Sequence, residues 1–588
     1  MLKLLKYLSK RDWCFALLSV ALIVGQVWLD LRMPEYMTRI TTLVQTEGSR
    51  MSEILTAGGW MLLCALGSLV GAILVGYLVA VISASYSMRL REAVYDRVMS
   101  FSTREIHRFS TASLITRSGN DISQVQMLVS MGLQMLVKAP ITGIMALVKI
   151  SGKSWQWTAL TGAAIGVMLF FAVFVILYAL PRFKKIQKQT DELNRVTREH
   201  LGGLPVVRAY NAEAYQEEKF DTANRILTRT NLQANLAMVG ISPVMNLSMN
   251  GLSLGIYWIG AYLLNAVALD GMEGMAARLT IFSDMVVFMS YAMQVVSAFL
   301  MLVMIFVMFP RAMVSARRIL EVLQTESSII EGSRSSGEPG QSGMVEFVDV
   351  SFRYPDAVED ALQHVSFKVE QGQTLAIIGA TGSSKSTLLN LIPRFYDVTA
   401  GKVLLDGVDV REYTQLALHS RIGYVPQKAY LFTGTVEGNV AYGCEEAVTE
   451  TVERALEIAQ AADFIREGVG LQGQVAQGGS NFSGGQKQRL SIARAVAVQP
   501  EILLFDDSFS ALDFKTDRAL RQALKQRTAG VTTIIVAQRI GTIRDADQIL
   551  VLDEGKVVGL GTHAELMRSC AVYQEIARSQ LSEEELAS

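Results

Sequence analysis

Charge is scarce in this chain. Of its 588 residues only 19% are Asp, Glu, Lys or Arg, while 50% are hydrophobic, and the mean hydropathy is +0.29. That balance excludes an ordinary soluble enzyme of this length. Neither sign dominates: the net charge is −1, which gives no whole-chain argument for a nucleic-acid partner. Cysteine is scarcer still. Cys14, Cys64, Cys444 and Cys570 show no paired spacing, which excludes a disulfide framework or a metal knot.

The apolar residues are concentrated in the first half, in runs near 13–29, 57–84, 127–150, 158–180, 247–269 and 281–309. Each is long enough for the roughly 20 residues that cross about 30 Å of hydrocarbon, so six membrane spans are expected. Basic residues set their orientation. Lys3, Lys6, Lys10 and Arg11 precede span one, Arg89 to Arg117 follow span two, and Arg182 to Arg229 follow span four. The opposite loops hold fewer: Arg32, Arg39 and Arg50, then Lys153, then Arg278. Both ends of the chain, and whatever follows the spans, are therefore expected in the cytoplasm. The first run is basic at its start like a signal peptide, but it ends in Val-Trp-Leu-Asp without a small-residue cleavage site and is needed for even topology, so it reads as a true span.

The two long cytoplasmic loops carry helical periodicity, as in Leu90, Val94 and Val98, or Leu193 and Val196. Pro205 falls in an otherwise helical stretch, where a kink is expected. Residues 331–343 are rich in Gly and Ser with no apolar period, which predicts an exposed, flexible linker.

Beyond the linker the signals are chemical. Gly379-Ala380-Thr381-Gly382-Ser383-Ser384-Lys385-Ser386-Thr387 directly follows the apolar run 375–378. A Gly-rich turn between strand and helix aims backbone N–H groups at a polyphosphate; Lys385 adds a point charge and Ser386 a hydroxyl for Mg²⁺. The pattern G-x-x-x-x-G-K-[ST] is met except that Ser384 replaces the second Gly. At Ile502 to Asp506 an apolar stretch ends in an acid, as in a Walker B strand whose carboxylate serves the metal. Between the two, Ser483-Gly484-Gly485-Gln486 opens the periodic segment 490–498, a helix N-terminus approached through small residues.

At these residues the chain resembles the ATP-binding cassette (ABC) family. Ser483 to Gln486 resemble the family signature, Gln427 lies in a Q-loop-like Tyr-Val-Pro-Gln, Ser510-Ala511-Leu512-Asp513 resembles the D-loop, and Tyr354 stands where the family stacks an aromatic on adenine. The resemblance implies an exporter-type half-transporter. A six-helix all-α transmembrane domain (residues 1–324) with long cytoplasmic extensions and a linker (325–343) would precede an α/β P-loop cassette (344–588). It further implies coupling helices near Ser102 to Ser113 and Val206 to Glu217. Two cassettes would meet head to tail, each ATP lying between one chain's Walker loop and the other's signature, with Lys385, Ser386, Asp506 and Gln427 around phosphate and Mg²⁺.

Three residues depart from the family pattern. Asp507 follows the Walker B acid where efficient hydrolysers carry Glu, and a side chain one methylene shorter sits farther from the attacking water; general-base assistance is worth roughly 10²–10⁴ in rate. Gln538 replaces the switch histidine, keeping a hydrogen-bond donor but not a titrating group. Ser384 places a Cβ where glycine permits φ > 0, at roughly 1 kcal/mol or more. The signature and Asp513 are intact. This asymmetry resembles one half of the heterodimeric exporters with a degenerate nucleotide site, and implies a second half-transporter as partner.

For the cargo, the family default is a lipophilic, lipid-like or peptide substrate. Met245, Met249, Met285, Met289, Met293, Met301, Met304 and Met308 suit either an adaptable pocket or ordinary packing. Asn246, Asn250 and Gln294 are expected to face a cavity or another helix. Lys138, in span three, requires a partner, water or a snorkelling path. Import, a homodimeric exporter and an ATP-gated channel on the same fold remain rival readings.

Overall fold

The computed structural model describes residues 2–581 apart from 47, 152, 268–270, 356 and 445–447; the predicted end of span five at 268–269 lies outside the described residues. The chain forms two compact units, one of residues 1–99 and 112–325, the other of 100–111 and 326–588.

The first unit is helical throughout. Its long elements are α1 (Lys10–Gln45) and α2 (Met51–Met99). After α3 (Thr103–Phe109), which belongs to the second unit, come α4 (Thr111–Thr116), α5 (Ile122–Ser151), α6 (Trp155–Gly202), α7 (Leu204–Ala209), α8 (Glu213–Val239), α9 (Ile241–Asn265) and α10 (Gly271–Gln324). Six helical stretches are long and apolar enough to cross a membrane. Ser9 caps α1 through a reciprocal box with Asp12, whose carboxylate also meets Arg89 of α2 at 2.9 Å. The bundle core gathers Ile23, Val27 and Leu31 from α1, Val75 and Val79 from α2, Ile150 from α5 and Phe288 and Tyr291 from α10. Span one is thus part of the packed bundle. Met285 joins that core, and Met245, Met249 and Met289 pack against it, whereas Met304 is exposed. Apolar side chains such as Phe170, Leu177 and Trp258 cover the outside, the surface a hydrocarbon solvent demands.

Pro205 does not kink a helix interior. It occupies the first turn of α7, after α6 has ended at Gly202, where an N–H would have no intrahelical acceptor anyway.

The second unit is an α/β cassette with α3 attached. Its strands are β1 (Val345–Phe352), β2 (Leu362–Val369), β3 (Thr374–Gly379), β4 (Ala400–Leu405), β5 (Val408–Asp409), β6 (Ile422–Val425), β7 (Gly434–Thr435), β8 (Gln474–Val475), β9 (Ile502–Asp506), β10 (Thr532–Val536), β11 (Gln548–Asp553) and β12 (Lys556–Gly561). Its helices include α11 (Lys385–Leu391), α12 (Gln415–His419), α13 (Val436–Val440), α14 (Thr449–Ile458), α15 (Ala462–Arg466), α16 (Gly484–Ala497), α17 (Phe514–Arg527), α18 (Ile540–Ile543), α19 (His563–Ser569) and α20 (Ala571–Gln580). One sheet is antiparallel in the order β2-β1-β4-β5; the other runs β12-β11-β3-β10-β9-β6, parallel except at its β12 edge. The central strands are buried on both faces, β9 at every residue, which is why they read as continuous apolar runs.

The linker is largely exposed, as expected, but it is not free of the cassette. Gly332 and Ser333 donate backbone hydrogen bonds to Tyr413 and Glu412, and Glu338 donates to Asp406. A Cβ at Gly332 would lie 2.1 Å from the Glu412 carbonyl oxygen. Gly332 therefore serves close backbone approach rather than freedom, and the segment is pinned along the cassette by these hydrogen bonds. Within the same unit, α3 is capped by Ser102 and Glu105, and Ser102 Oγ lies 2.9 Å from Ser328 Oγ.

Candidate nucleotide site

In a parallel sheet all the strands deliver their carboxyl ends to one edge, and ligands bind in the crevice there. Gly379 ends β3, Asp506 ends β9, Gln427 lies two residues beyond β6 and Gln538 two beyond β10. Residues far apart in sequence reach one edge because β10 pairs with both β3 and β9, while β9 pairs with β6.

The 379–387 loop is shaped by backbone constraints. A Cβ at Gly379 would stand 2.0 Å from the Leu552 carbonyl oxygen on β11. Gly382 has φ +88° and Ser384 φ +69°, ψ +27°, so Ser384 adopts a left-handed conformation with a side chain that disfavours it. Ser383 is buried; Thr381 and Gly382 are exposed on the loop.

Lys385 folds onto the loop itself. Its Nζ donates to the carbonyl oxygens of Gly379 at 2.9 Å and Ala380 at 2.8 Å. Burial pushes its pKa below the usual lysine range, against the opposing pull of Asp507 and Asp506. Ser386 Oγ donates to Asp506 Oδ1 at 2.7 Å, joining the loop's hydroxyl to the Walker B carboxylate. Burial raises the Asp506 carboxyl, and the Ser386 hydrogen bond opposes that rise. Thr387 is buried and its Oγ1 lies 2.9 Å from the hydroxyl of Tyr354, whose ring packs edge-on against Phe352 and Tyr396.

Asp507 is held at φ +47°, with its N–H bonded to the Val536 carbonyl at 3.0 Å. Its Oδ2 accepts from Gln538 Nε2 at 2.8 Å and, at the long limit, from Gln427 Nε2 at 3.5 Å. Burial raises its pKa; the Gln427 contact and then the Ser510 and Gln538 contacts oppose that. The three side chains that sequence separates by up to 111 positions thus form one cluster.

The signature is built differently. Ser483 caps α16, its Oγ accepting from the Gln486 N–H while Gln486 Oε1 accepts from the Ser483 N–H, and Ser483 and Gly484 are exposed. Gly485 abuts the D-loop: a Cβ there would sit 3.2 Å from the Ala511 carbonyl oxygen. Asp513 caps α17 by accepting from the Thr516 N–H at 3.0 Å. Among the described residues no hydrogen bond joins Ser483, Gln486 or Asp513 to the 379–387 loop.

Two contributors escape a linear reading. Gln580, at the end of α20, donates from Nε2 to the Gln538 carbonyl at 2.7 Å and accepts from the Ile540 N–H at 2.8 Å, so one amide brackets Gln538. Gln488 of α16 donates to the Pro426 carbonyl at 3.3 Å, tying the signature helix to the segment carrying Gln427. No motif marks either residue.

The donor set fits a nucleotide polyphosphate with a divalent ion. The cradle admits no Cβ at Gly379, Lys385 presents an ammonium, and the Ser386 hydroxyl already meets the Asp506 carboxylate. No cluster of three or more His, Cys, Asp or Glu side chains occurs among the described residues, so a cation at Asp506 would be completed by hydroxyl and phosphate oxygens.

Comparison with known proteins agrees with this geometry. Residues 362–510 match the family model described as ABC transporter, and residues 16–299 match the ABC transporter transmembrane region. An ABC transporter ATP-binding protein of Mycobacterium bovis is 40% identical over 528 residues, covering 89% of this chain and 87% of that protein. An ATP-dependent lipid A-core flippase of Vibrio vulnificus is 30% identical over 594 residues, covering 98% of both. Among solved structures, a bacterial Atm1-family ABC exporter with ATP bound superposes with TM-score 0.80 at 25% identity, covering 98% of this chain and 100% of that one.

Proposed function

The chain belongs to the ABC transporter family, with an exporter-type transmembrane region and a cytoplasmic cassette, and on that premise we propose that it is the slow-hydrolysing half of a heterodimeric exporter for an amphipathic, lipid-like molecule. The observation that carries this reading is the hydrogen bond between Gln538 and Asp507. Both residues differ from the family pattern, and each satisfies the other.

In this reading the Tyr354 ring takes the adenine, the 379–387 loop and Lys385 take the phosphates, and Ser386, Asp506 and Gln427 serve Mg²⁺. The ion, when bound, neutralises charge on the β- and γ-phosphates. A water attacking the γ-phosphate needs a carboxylate to accept its proton and fix its position. Asp507 is a methylene shorter than glutamate, its backbone is already at φ +47°, and one oxygen is occupied by an amide. Gln538 donates a hydrogen bond but takes up no proton. Binding therefore survives while turnover at this Walker loop is slow. The exposed Ser483 and Gly484 remain available to complete the nucleotide site of a partner subunit, where the faster hydrolysis resets the transporter.

The lipid-like cargo is supported by the flippase relative that aligns over nearly the full chain. The asymmetric assembly is tested in the reconstituted complex with its partner half-transporter. Asp507→Ala is expected to leave most ATP turnover intact, and loss as complete as that caused by disabling the partner's own acid would refute it. A chain that alone hydrolyses ATP as fast as any mixture would also refute it.

A further inference from the structure

Lys138, a cation inside span three, lacks a close acceptor. It lies in the middle of the apolar run 127–150, as Ser68 and Gln294 lie near the middle of 57–84 and 281–309. These three, on α5, α2 and α10, converge on Asp30 of α1. Ser68 Oγ donates to Asp30 Oδ1 at 2.5 Å, and Gln294 Nε2 reaches the Asp30 carbonyl at 3.5 Å. Lys138 Nζ stops 3.7 Å from Asp30 Oδ2, beyond hydrogen-bond distance.

Three other cations of the same unit are held more closely. Arg32 meets Glu35 at 2.7 Å, Lys149 meets Glu35 at 2.5 Å, and Lys153 meets Asp284 in closer contact still. Lys138, near the middle of its own apolar run, has a looser partner than these three, and a structural ion pair would close the gap. Snorkelling does not account for it, because the ammonium turns toward Asp30 inside the bundle rather than toward a headgroup layer.

The surroundings are short of partners as well. Gln294 Oε1 and Thr142 Oγ1 are buried without a hydrogen bond, Thr142 standing one turn beyond Lys138 on α5. Pro140, inside the same helix, has no N–H to give the Leu136 carbonyl. Side chains of Lys138 and Asp30 remain 27% and 24% exposed, so the pair is reachable from outside the helix core.

We propose that Lys138, poised against Asp30, is the subsite that seats the anionic head group, phosphate or carboxylate, of an amphipathic substrate within the helix bundle. The proposal rests on the reading of this chain as an exporter of amphipathic molecules and specifies the charge of the head group. A head-group oxygen would take the ammonium's free donors and displace it from Asp30, whose carboxylate competes with the ligand for the same cation. The two residues therefore have opposite effects on affinity, which a merely structural pair would not produce.

The test is equilibrium binding of labelled dodecyl phosphate to the full-length protein in dodecyl maltoside micelles. Lys138→Met is expected to weaken binding by about tenfold or more, the worth of a charged hydrogen bond. Lys138→Arg should retain it, and Asp30→Asn should tighten it. Dodecyl trimethylammonium should not compete, and neither should inorganic phosphate, which lacks the tail. Binding unchanged in both Lys138→Met and Asp30→Asn, weakening by Asp30→Asn, or equal competition by inorganic phosphate would each overturn the subsite. The exporter reading fails separately, if the assembled transporter moves no amphiphile of any charge in an ATP-dependent flux assay.

Discussion

Gln538 Nε2 donates a 2.8 Å hydrogen bond to Asp507 Oδ2, so the residue at the switch position and the residue at the catalytic-acid position engage each other directly. The bond spans two strand ends that parallel pairing brings together, β10 and β9. A test of the proposed slow hydrolysis therefore changes both, since lengthening Asp507 alone would press a longer carboxylate against the same amide.

The double variant Asp507→Glu with Gln538→His is expected to raise single-turnover ATP hydrolysis at this Walker loop by about 10²-fold, within the range of general-base assistance. Rapid-quench measurement with excess enzyme reads this step without product release. An unchanged rate would mean that neither position limits the chemistry.

Gln580 should behave as a positioning residue. Gln580→Ala removes both bonds that bracket Gln538, so turnover at this Walker loop is expected to fall severalfold while the ATP dissociation constant stays unchanged. The split between the two readouts separates positioning of the switch segment from general loss of fold, which would lower both.

Ser384→Gly should relieve the left-handed strain at φ +69°. ATP binding is expected to tighten by about fivefold, equivalent to about 1 kcal/mol, because the loop closed around phosphate is held in the left-handed conformation that serine disfavours, whereas the free loop can relax out of it. Fluorescent-nucleotide titration checks the sign; weaker binding would show that the Ser384 side chain contributes a contact.

Ser483→Ala breaks the capping box of α16 and is expected to cost about 1 kcal/mol of cassette stability. On the proposed assembly it should also lower turnover at the partner's nucleotide, since Ser483 and Gly484 are exposed. Denaturant unfolding and complex turnover measure the two effects separately.

Asp406 supplies a pH dependence. Burial, and secondarily the neighbouring Glu501, raises its carboxyl from 3.8 to about 6, although Arg421 Nε lies 3.3 Å away. A folded-state value above the unfolded one favours folding below about pH 4 and loses that contribution as pH rises through about 6. The cassette should therefore be more stable at pH 5 than at pH 7.5 by about 1.4 kcal/mol from this group, out of about 3 kcal/mol over the whole range. Asp406→Asn is expected to flatten that dependence in thermal unfolding of the full-length protein.

The cassette was legible in the sequence because its chemistry is contiguous: a loop, a strand-end acid and a capped helix each occupy a few adjacent residues, and local backbone rules fix what such segments do. The spans were legible because a hydrocarbon solvent demands long apolar runs. Composition misled at the linker, since glycine and serine mark close backbone approach as well as freedom, and only the hydrogen bonds of residues 332–338 to Glu412, Tyr413 and Asp406 separate the two. Pro205 misled likewise until the end of α6 was located.

The sequence by itself determined that this chain spans a membrane and carries a phosphate-binding cassette with three departures from its family's pattern, because those properties follow from run length, spacing and residue identity. Tertiary structure alone decided that Gln538 rests on Asp507, that Gln580 brackets Gln538, and that Asp30 is what Lys138 faces. Strand register and helix packing set those pairings, and neither is encoded in the local spacing of the residues they bring together.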